Sequence, residues 1–593
     1  MRVADYLIET LVKKGVGHIF TVSGRGTLYL TDAIAKCDGM EAVCVHNEQA
    51  GSYAAVAYAK CNENLGACLL TTGCGSTNAI SGVLCAWQDE VPCVFISGQN
   101  MLNETVSYTN AQFRTFGSQE AEIVSLVRPV TKYAVMLTDA KQAVYEFEKA
   151  LYLATEGKRG PVWIDVPLDI QNARIEPGEL YHFEPTDDAN KAVKVSDIDL
   201  LVELLTESHR PALLTGNGVR ASGAIELLDK FVSKTGIPVT YAHTASDIYG
   251  LDKEMSMGCV GSLCGTRAGN FTVQNADLLI VLGCRMTSMT TGSQPEKFAR
   301  EAKTVVIDID RDEHTKNTFH IDYFIEADVK DLLGKLISTD LKPVLPDWKS
   351  LCLHWKEIFP KCEDKYKQSE KVDLYYLSEV LSKKMIDNTC LVCDAGLEEL
   401  LLPANVVFRE GTRCIQPAMQ GAMGFALPGA IGAACLDNGP VIAVIGDGSF
   451  MMNLQELQTI HYNKFPIKIL VTNNNAYAVI RQRQKELFRT RTIGTDIENG
   501  LECANFEKIA EAFDIPYMRI SSTKNLEDGI DEFISMDGSV LCEVMCVEDQ
   551  KYLRTAYTKT KSRKYVQRPL EDQEPFLDRD IFLKEMVIEP IDQ

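Results

Sequence analysis

Two short polar segments carry the chemistry of this chain. Gly446-Asp447-Gly448-Ser449 closes the apolar run Val441-Ile442-Ala443-Val444-Ile445, and Asn473-Asn474-Asn475 closes the next, Ile467-Lys468-Ile469-Leu470-Val471-Thr472. Runs of this kind predict buried strands, and in open parallel sheets ligands gather at the carboxyl ends of strands. The glycines let backbone approach a ligand, and a helix predicted from about Leu454 turns its positive end toward an anion. Asp447 puts a carboxylate at the same spot, where it repels a bare phosphate. A hard cation between them removes the conflict, because magnesium takes oxygen ligands and is commonly shared with phosphates. The asparagines offer an amide oxygen to complete its shell. Gly-Asp-Gly by itself is equally a tight turn. The 27 residues that separate Asp447 from Asn474 suit one helix and a parallel neighbour strand, which favours the cation site.

A second carboxyl, Glu48 in His46-Asn47-Glu48-Gln49-Ala50, begins a helix of small residues, Ala50 to Ala59. An acidic residue there ordinarily only offsets the helix dipole. A third segment, Gly421-Ala422-Met423-Gly424-Phe425-Ala426-Leu427-Pro428, holds a methionine that alone reads as core filler. Together the three segments resemble the motifs of thiamine diphosphate enzymes. The resemblance implies Asp447, the Asn474 side chain and the Ala476 carbonyl as magnesium ligands, with Gly448 and Ser449 on the diphosphate. It makes Glu48 the carboxyl, of raised pKa, that protonates the pyrimidine ring and so activates the cofactor. It makes Met423, beside Gly421, the wedge that bends the cofactor between its rings. It also puts Glu48 and the metal on different domains that meet across a subunit interface, hence a homodimer or homotetramer.

Over nearly its whole length the chain resembles acetolactate-synthase-like enzymes. Gly73-Cys74-Gly75-Ser76-Thr77-Asn78 is similar to their GPGxTN loop, implying Asn78 at the cofactor. Ser118-Gln119-Glu120 is similar to their Phe-Gln-Glu segment, implying Gln119 in the active site. Met257 to Gly261, Gly283-Cys284-Arg285, Asp308-Ile309-Asp310 and Asp328-Val329 fall where the synthases contact FAD. Gly283, Arg285, Asp308 and Asp328 therefore mark either an FAD site or an empty Rossmann-like scaffold. Departures from the family pattern concentrate at the acceptor. Met289 stands where the synthases' GVRFDDRxTG segment has the arginine that holds the acceptor carboxylate, and Arg483 replaces a tryptophan. Val22-Ser23-Gly24-Arg25-Gly26 replaces a Pro-Gly-Gly turn and brings Arg25 toward Glu48. Asp394-Ala395-Gly396-Leu397-Glu398 replaces a Gly-Gln-His diphosphate segment, with Gly396 as the retained cofactor contact.

Strands must deliver these residues, and three stretches alternate strand and helix. Their boundaries are 1–170 (pyrimidine-binding), 197–340 (central, FAD-type or Rossmann-like) and 372–548 (diphosphate- and magnesium-binding). Such alternation predicts an α/β protein of three doubly wound parallel-sheet domains. Residues 171–196 and 341–371 read as connections, and 549–593 as a polar tail along the surface. A net charge of −22 argues against nucleic-acid and membrane-surface binding, while leaving room for a small anion held by local arginines. No strongly apolar run reaches the length of a membrane span. The 19 cysteines lie among apolar segments without zinc spacing, and no signal peptide is evident. They are expected to be mostly buried in a cytoplasmic protein.

The expected activity is decarboxylation of a 2-keto acid, pyruvate, with acyl transfer to a carbonyl acceptor. The catalytic candidates are Glu48, Gln119, Arg25 and Arg483. The departures favour a larger, polar or anionic acceptor, since arginine pairs bidentately with phosphate and carboxylate. Arg568-Pro569-Leu570-Glu571-Asp572 and Pro575-Phe576-Leu577 resemble a segment of acetolactate-synthase-like proteins associated with bacterial surface-polysaccharide pathways, where a two-carbon unit from pyruvate can be joined to a keto-sugar nucleotide. Three alternatives stay open: acetolactate synthase proper, a simple 2-keto acid decarboxylase, and an inactive scaffold subunit.

Overall fold

Val-, Ile- and Leu-rich runs become the middles of three separate six-stranded sheets in a computed structural model, which describes residues 1–109, 112, 114–176, 180–185, 192–263, 265–559 and 565–591. The first sheet holds β1 (His18–Thr21), β2 (Glu41–Cys44), β3 (Gly66–Leu70), β4 (Cys93–Gln99), β5 (Tyr133–Met136) and β6 (Val162–Pro167), in the order β2-β1-β3-β4-β6-β5. The second holds β7 (Pro211–Thr215), β8 (Val239–Tyr241), β9 (Ser256–Cys259), β10 (Leu278–Leu282), β11 (Lys303–Asp308) and β12 (Tyr323–Glu326), ordered β12-β11-β10-β7-β8-β9. The third holds β13 (Cys390–Cys393), β14 (Arg413–Ile415), β15 (Val441–Gly446), β16 (Ile467–Asn473), β17 (Tyr517–Ile520) and β18 (Val540–Met545), ordered β14-β13-β15-β16-β18-β17. All neighbours within these sheets run parallel. Helices cover both faces, so central strands such as β16 are buried along their whole length.

The Glu48–Asn62 helix shows how the first and third sheets are joined. Its residues Ala50 to Ala59 are all buried, as expected of a helix that is small and apolar all round. It crosses the Ala426–Ala434 helix so closely that a Cβ at Gly432 would collide with the Ala54 carbonyl. Tyr53 and Phe425 meet edge to face there, with ring centroids 5.4 Å apart.

Two segments depart from the expectation of loose connections. Residues 341–371 contain a helix, Pro346–Ile358, that buries Trp348 and Trp355 in the second core, and Trp348 Nε1 donates to the Pro211 carbonyl at 2.9 Å. Burying such side chains stabilises the fold by about 1.5–3 kcal/mol each. The stretch read as polar because only a narrow stripe of this helix faces inward. The tail is docked rather than loosely laid on the surface. The buried Glu571 carboxylate accepts from Gln274 at 2.7 Å and Arg300 at 2.8 Å, and Gln573 donates to the Gly265 carbonyl at 2.7 Å. Phe582 completes the second core against Phe271.

Most cysteines are buried or half-buried, with Cys44 and Cys74 exposed. Cys390 and Cys393 have the spacing of a redox pair, but they lie on one strand, where residues three apart point to opposite faces. Cys390 packs toward the first block and Cys393 into the third-block core. No helix among the described residues is long and apolar enough to cross a membrane.

Candidate active site

Strands β15 and β16 lie side by side in the middle of the sheet, with Gly446 opposite Thr472, so Asp447 and Asn473-Asn474 emerge together at their carboxyl ends. Asp447 opens a four-residue helical turn, Asp447–Phe450; the longer helix starts only at Glu456, two residues later than the sequence predicted. Three backbone N–H groups hold its carboxylate: Gly448 at 2.7 Å on Oδ1, and Asn474 at 3.1 Å and Asn475 at 2.6 Å on Oδ2. Asn475 adopts a φ of 56°, a left-handed conformation that asparagine tolerates. Asn474 Oδ1 accepts from the Ala476 N–H at 3.0 Å. Gly448 is pressed against Tyr477, whose ring an added Cβ would overlap. Burial pushes the Asp447 carboxyl up to about 6, and no cationic side chain among the described residues pairs with it. The donors here are all oxygen, a set that suits magnesium rather than a thiophilic metal.

A cavity of about 500 Å³, including space open to solvent, adjoins these groups. Gly396, Met423, Gly448 and Ser449, all sequence candidates for cofactor contact, border it. Gly421 is exposed, at a φ of 60°, in the turn that leads to Met423. Asp394, named in the sequence only as part of a replaced segment, sets this loop. Its buried carboxyl accepts the N–H groups of Gly424 at 2.9 Å, Ala426 at 2.8 Å and Ala395 at 2.9 Å, and burial pushes it up to about 6.

Glu398 also borders the cavity, next to Gly446 and Gly396. Its carboxyl is buried, takes a hydrogen bond from the Thr472 hydroxyl and has no ion pair among the described residues. Burial first, then the nearby carboxylates Asp394 and Asp447, push it up to about 8. A neutral Glu398 is compatible with an anion in the cavity and an ionised one repels it. Because the folded value lies above the ordinary one, this group also contributes stability at low pH that is lost as pH rises through about 8. We predict that affinity for magnesium pyrophosphate falls up to about tenfold per pH unit above about 8, and that Glu398→Gln removes this slope. Titration calorimetry at pH 7 and pH 9 checks it; equal pH slopes in the two proteins would refute the assignment.

Glu48 lies at the edge of the first sheet. Asn47 caps its helix by accepting from Gln49 N–H at 2.8 Å. Asn78 Nδ2 donates to Glu48 Oε2 at 3.0 Å, so Asn78 reaches the carboxyl directly. A Cβ on Gly75 would sit 3.0 Å from Oε1, so only glycine leaves that oxygen uncovered. The Gln119 backbone, at a φ of 59°, lies against Gly73 of the same loop. Arg25 is exposed, on a turn whose Gly24 and Gly26 pack against Thr71 and Thr72. The edge therefore gathers Glu48, Asn78, Gln119 and the Arg25 turn, but Glu48 does not border the Asp447 cavity of its own chain.

Other sequence candidates lie apart. Arg483 is half-exposed on the Ala478–Leu487 helix, 3.7 Å from Glu486, and does not border the cavity. Its neighbour Arg481 is the buried one, tied to Glu548 and Asp549. Gly283 and Arg285 border a second cavity, of about 1200 Å³ including open space, where the three blocks meet. Asp308 and Asp328 do not border it. Asp308 is taken up by the Asp310 N–H at 3.0 Å and by His314 at 3.2 Å, and Asp328 caps the Val329–Ile337 helix through Lys330 N–H at 2.7 Å. Met289 borders the second cavity and packs on the second core.

Comparison with known proteins agrees with this layout. Residues 1–120, 198–336 and 394–544 match the family models for the N-terminal TPP binding domain, the central domain and the C-terminal TPP binding domain of thiamine pyrophosphate enzymes. Acetolactate synthase 3, chloroplastic, of Brassica napus is 31% identical over 568 residues, covering 93% of this chain and 84% of that protein. The acetolactate synthase large subunit of Porphyra purpurea is 30% identical over 559 residues, covering 92% of each.

Proposed function

Since this chain belongs to the thiamine pyrophosphate enzymes and is acetolactate-synthase-like, we propose that it uses thiamine diphosphate and magnesium to decarboxylate pyruvate and pass the acyl unit to a carbonyl acceptor. The observation that carries this reading is the oxygen cradle at the ends of β15 and β16, where a buried carboxylate has backbone donors around it and no cationic side chain paired with it among the described residues. A magnesium ion supplies the missing charge. Asp447, Asn474 and the Ala476 carbonyl would hold it, with Gly448 and Ser449 on the diphosphate and Met423 and Gly396 along the cavity wall. When bound, thiamine diphosphate supplies the carbanion equivalent that attacks the keto carbon and the sink for the electrons left by carbon dioxide.

The protein's own part is positioning and proton handling. Glu48 holds and releases the activating proton: Asn78 fixes Oε2, and Gly75 leaves Oε1 free to face a ligand. Gln119 and Arg25, at the same edge, are the acceptor contacts we favour over Arg483. Because Glu48 does not border the cradle cavity of its own chain, the reading includes a homodimer, alone or paired into a tetramer, in which each copy lends Glu48 to the other. Blocks 1–170, 197–340 and 372–548 then act as pyrimidine-binding, central and diphosphate-binding domains.

The larger cavity suits FAD in size. Of its cations, Lys60 pairs with Asp89 and both Arg220 and Arg413 with Asp247, while Arg285 lies 3.8 Å from Glu90 and Arg159 donates to the Ala221 carbonyl at 2.8 Å, so Arg159, Arg285 and backbone at Gly283 and Gly218 would do most of the holding. Met289 cannot pair with a carboxylate, which favours an acceptor other than a second pyruvate, polar or sugar-like. Product analysis with pyruvate, thiamine diphosphate and magnesium tests the whole reading. Acetolactate at high turnover would sink the altered acceptor and leave a synthase proper; acetaldehyde would mark a decarboxylase. Absence of cofactor binding by circular dichroism would leave only a scaffold subunit.

A further inference from the structure

Glu456 belongs to the third block, yet it is wholly buried against the first. Its two carboxylate oxygens lie 3.1 and 3.3 Å from the main-chain nitrogen of His46, whose N–H they accept. Oε2 also accepts the Thr459 hydroxyl at 2.7 Å, and Thr459 Oγ1 lies 3.1 Å from His46 Nδ1. On the other side of Glu48, Asn453 Nδ2 reaches the Gln49 side-chain oxygen at 3.4 Å. The same amide donates to the Gly424 carbonyl at 2.8 Å, next to Met423, and Gln455 donates to Asn453 Oδ1 at 3.1 Å. Residues 453–459, which follow directly on the Asp447 turn, thus grip the chain at His46 and at Gln49, with Glu48 between.

The grip matters because of where His46 lies. It is exposed, in the short link between β2 and the Glu48–Asn62 helix, where no strand or helix hydrogen bond fixes its N–H. A buried carboxylate is a costly way to satisfy one main-chain amide, one hydroxyl and a long 3.5 Å contact from the Gln455 amide unless that main-chain amide must stay in place. A reacting group displaced by about 1 Å can lose about 100-fold in rate.

We propose that Glu456 is a positioning residue for Glu48, holding the His46–Gln49 turn from the magnesium side of the molecule. This rests on the reading that Glu48 activates thiamine diphosphate. The experiment measures exchange of the cofactor's C2 proton with deuterium in the holoenzyme, together with cofactor Kd. Glu456→Ala is expected to slow exchange at least about tenfold while Kd stays within about threefold. Glu456→Gln, which keeps an oxygen for the His46 N–H, is expected to recover most of the loss, with Thr459→Val in between. Native-rate exchange in Glu456→Ala beside slowed exchange in Glu48→Gln would overturn the positioning role and leave Glu48's role standing. Native-rate exchange in Glu48→Gln would overturn both. If Glu456→Ala does not fold, Glu456→Gln and Thr459→Val decide: native exchange in Thr459→Val, or weakened cofactor binding in both that parallels the exchange loss, would mean a structural role only.

Discussion

Glu48→Gln is expected to lower kcat with pyruvate by about 10²–10⁴-fold, the usual contribution of a positioned acid–base group. Glutamine keeps the length of the side chain and an oxygen for Asn78, so the 3.0 Å contact survives and the proton donor alone is removed. Neither Asp447 nor the Asn474 amide is touched, so cofactor affinity is expected to stay within about threefold of the native value, since binding and proton handling are carried by separate groups. Steady-state kinetics beside a fluorescence titration separates the two quantities. A loss of less than about tenfold in kcat would remove Glu48 from the chemistry.

Asp447→Asn is expected to weaken magnesium-dependent cofactor binding by more than about 100-fold, since changing a group that merely supports a metal ligand already costs 10–100-fold. Asparagine removes the negative charge and turns an NH₂ toward a ring of N–H donors that the carboxylate now accepts. The readout is thermal. A ligand at about one hundred times its Kd stabilises the native protein by about 2.7 kcal/mol, and Asp447→Asn is expected to gain nothing at the same concentration. An undiminished thermal shift would show that the cation sits elsewhere. The native protein should bind best in a window of pH. Below about 6 the metal must displace a proton from Asp447, and above about 8 Glu398 ionises beside the diphosphate.

Asp447, Asn474 and Glu48 were legible in the sequence because strand ends and helix starts are local events. An apolar run closing on Gly-Asp-Gly fixes where a carboxylate emerges whatever the rest of the chain does. What surrounds such a group is another matter. Glu398 meets Thr472 across 74 residues, and Glu456 meets His46 across 410, so neither bond leaves a mark in any short window. Arg483, Asp308 and Asp328 show the complementary limit. Their alignment with a family pattern was readable, but Glu486, His314 and the Lys330 N–H, which engage them, were not. The Pro346–Ile358 helix was missed because Trp348, Cys352 and Trp355 make a stripe too narrow to raise a polar stretch above its background.

The docking of Leu570, Glu571 and Phe582 into the central block bears on how the molecule comes to be made. A ribosome delivers the strands of that block, 211–326, some 240 residues before the segment that covers Asn270, Gln274 and Arg300. At roughly 5–20 residues per second, that is a wait of about 12–50 s. Through that interval the central block carries an open apolar face, while the first block, whose six strands all lie before residue 168, already has its own sheet complete. The central block thus waits for its cover until synthesis has passed Phe582, as the first block's Glu48–Asn62 helix waits for the Ala426–Ala434 helix.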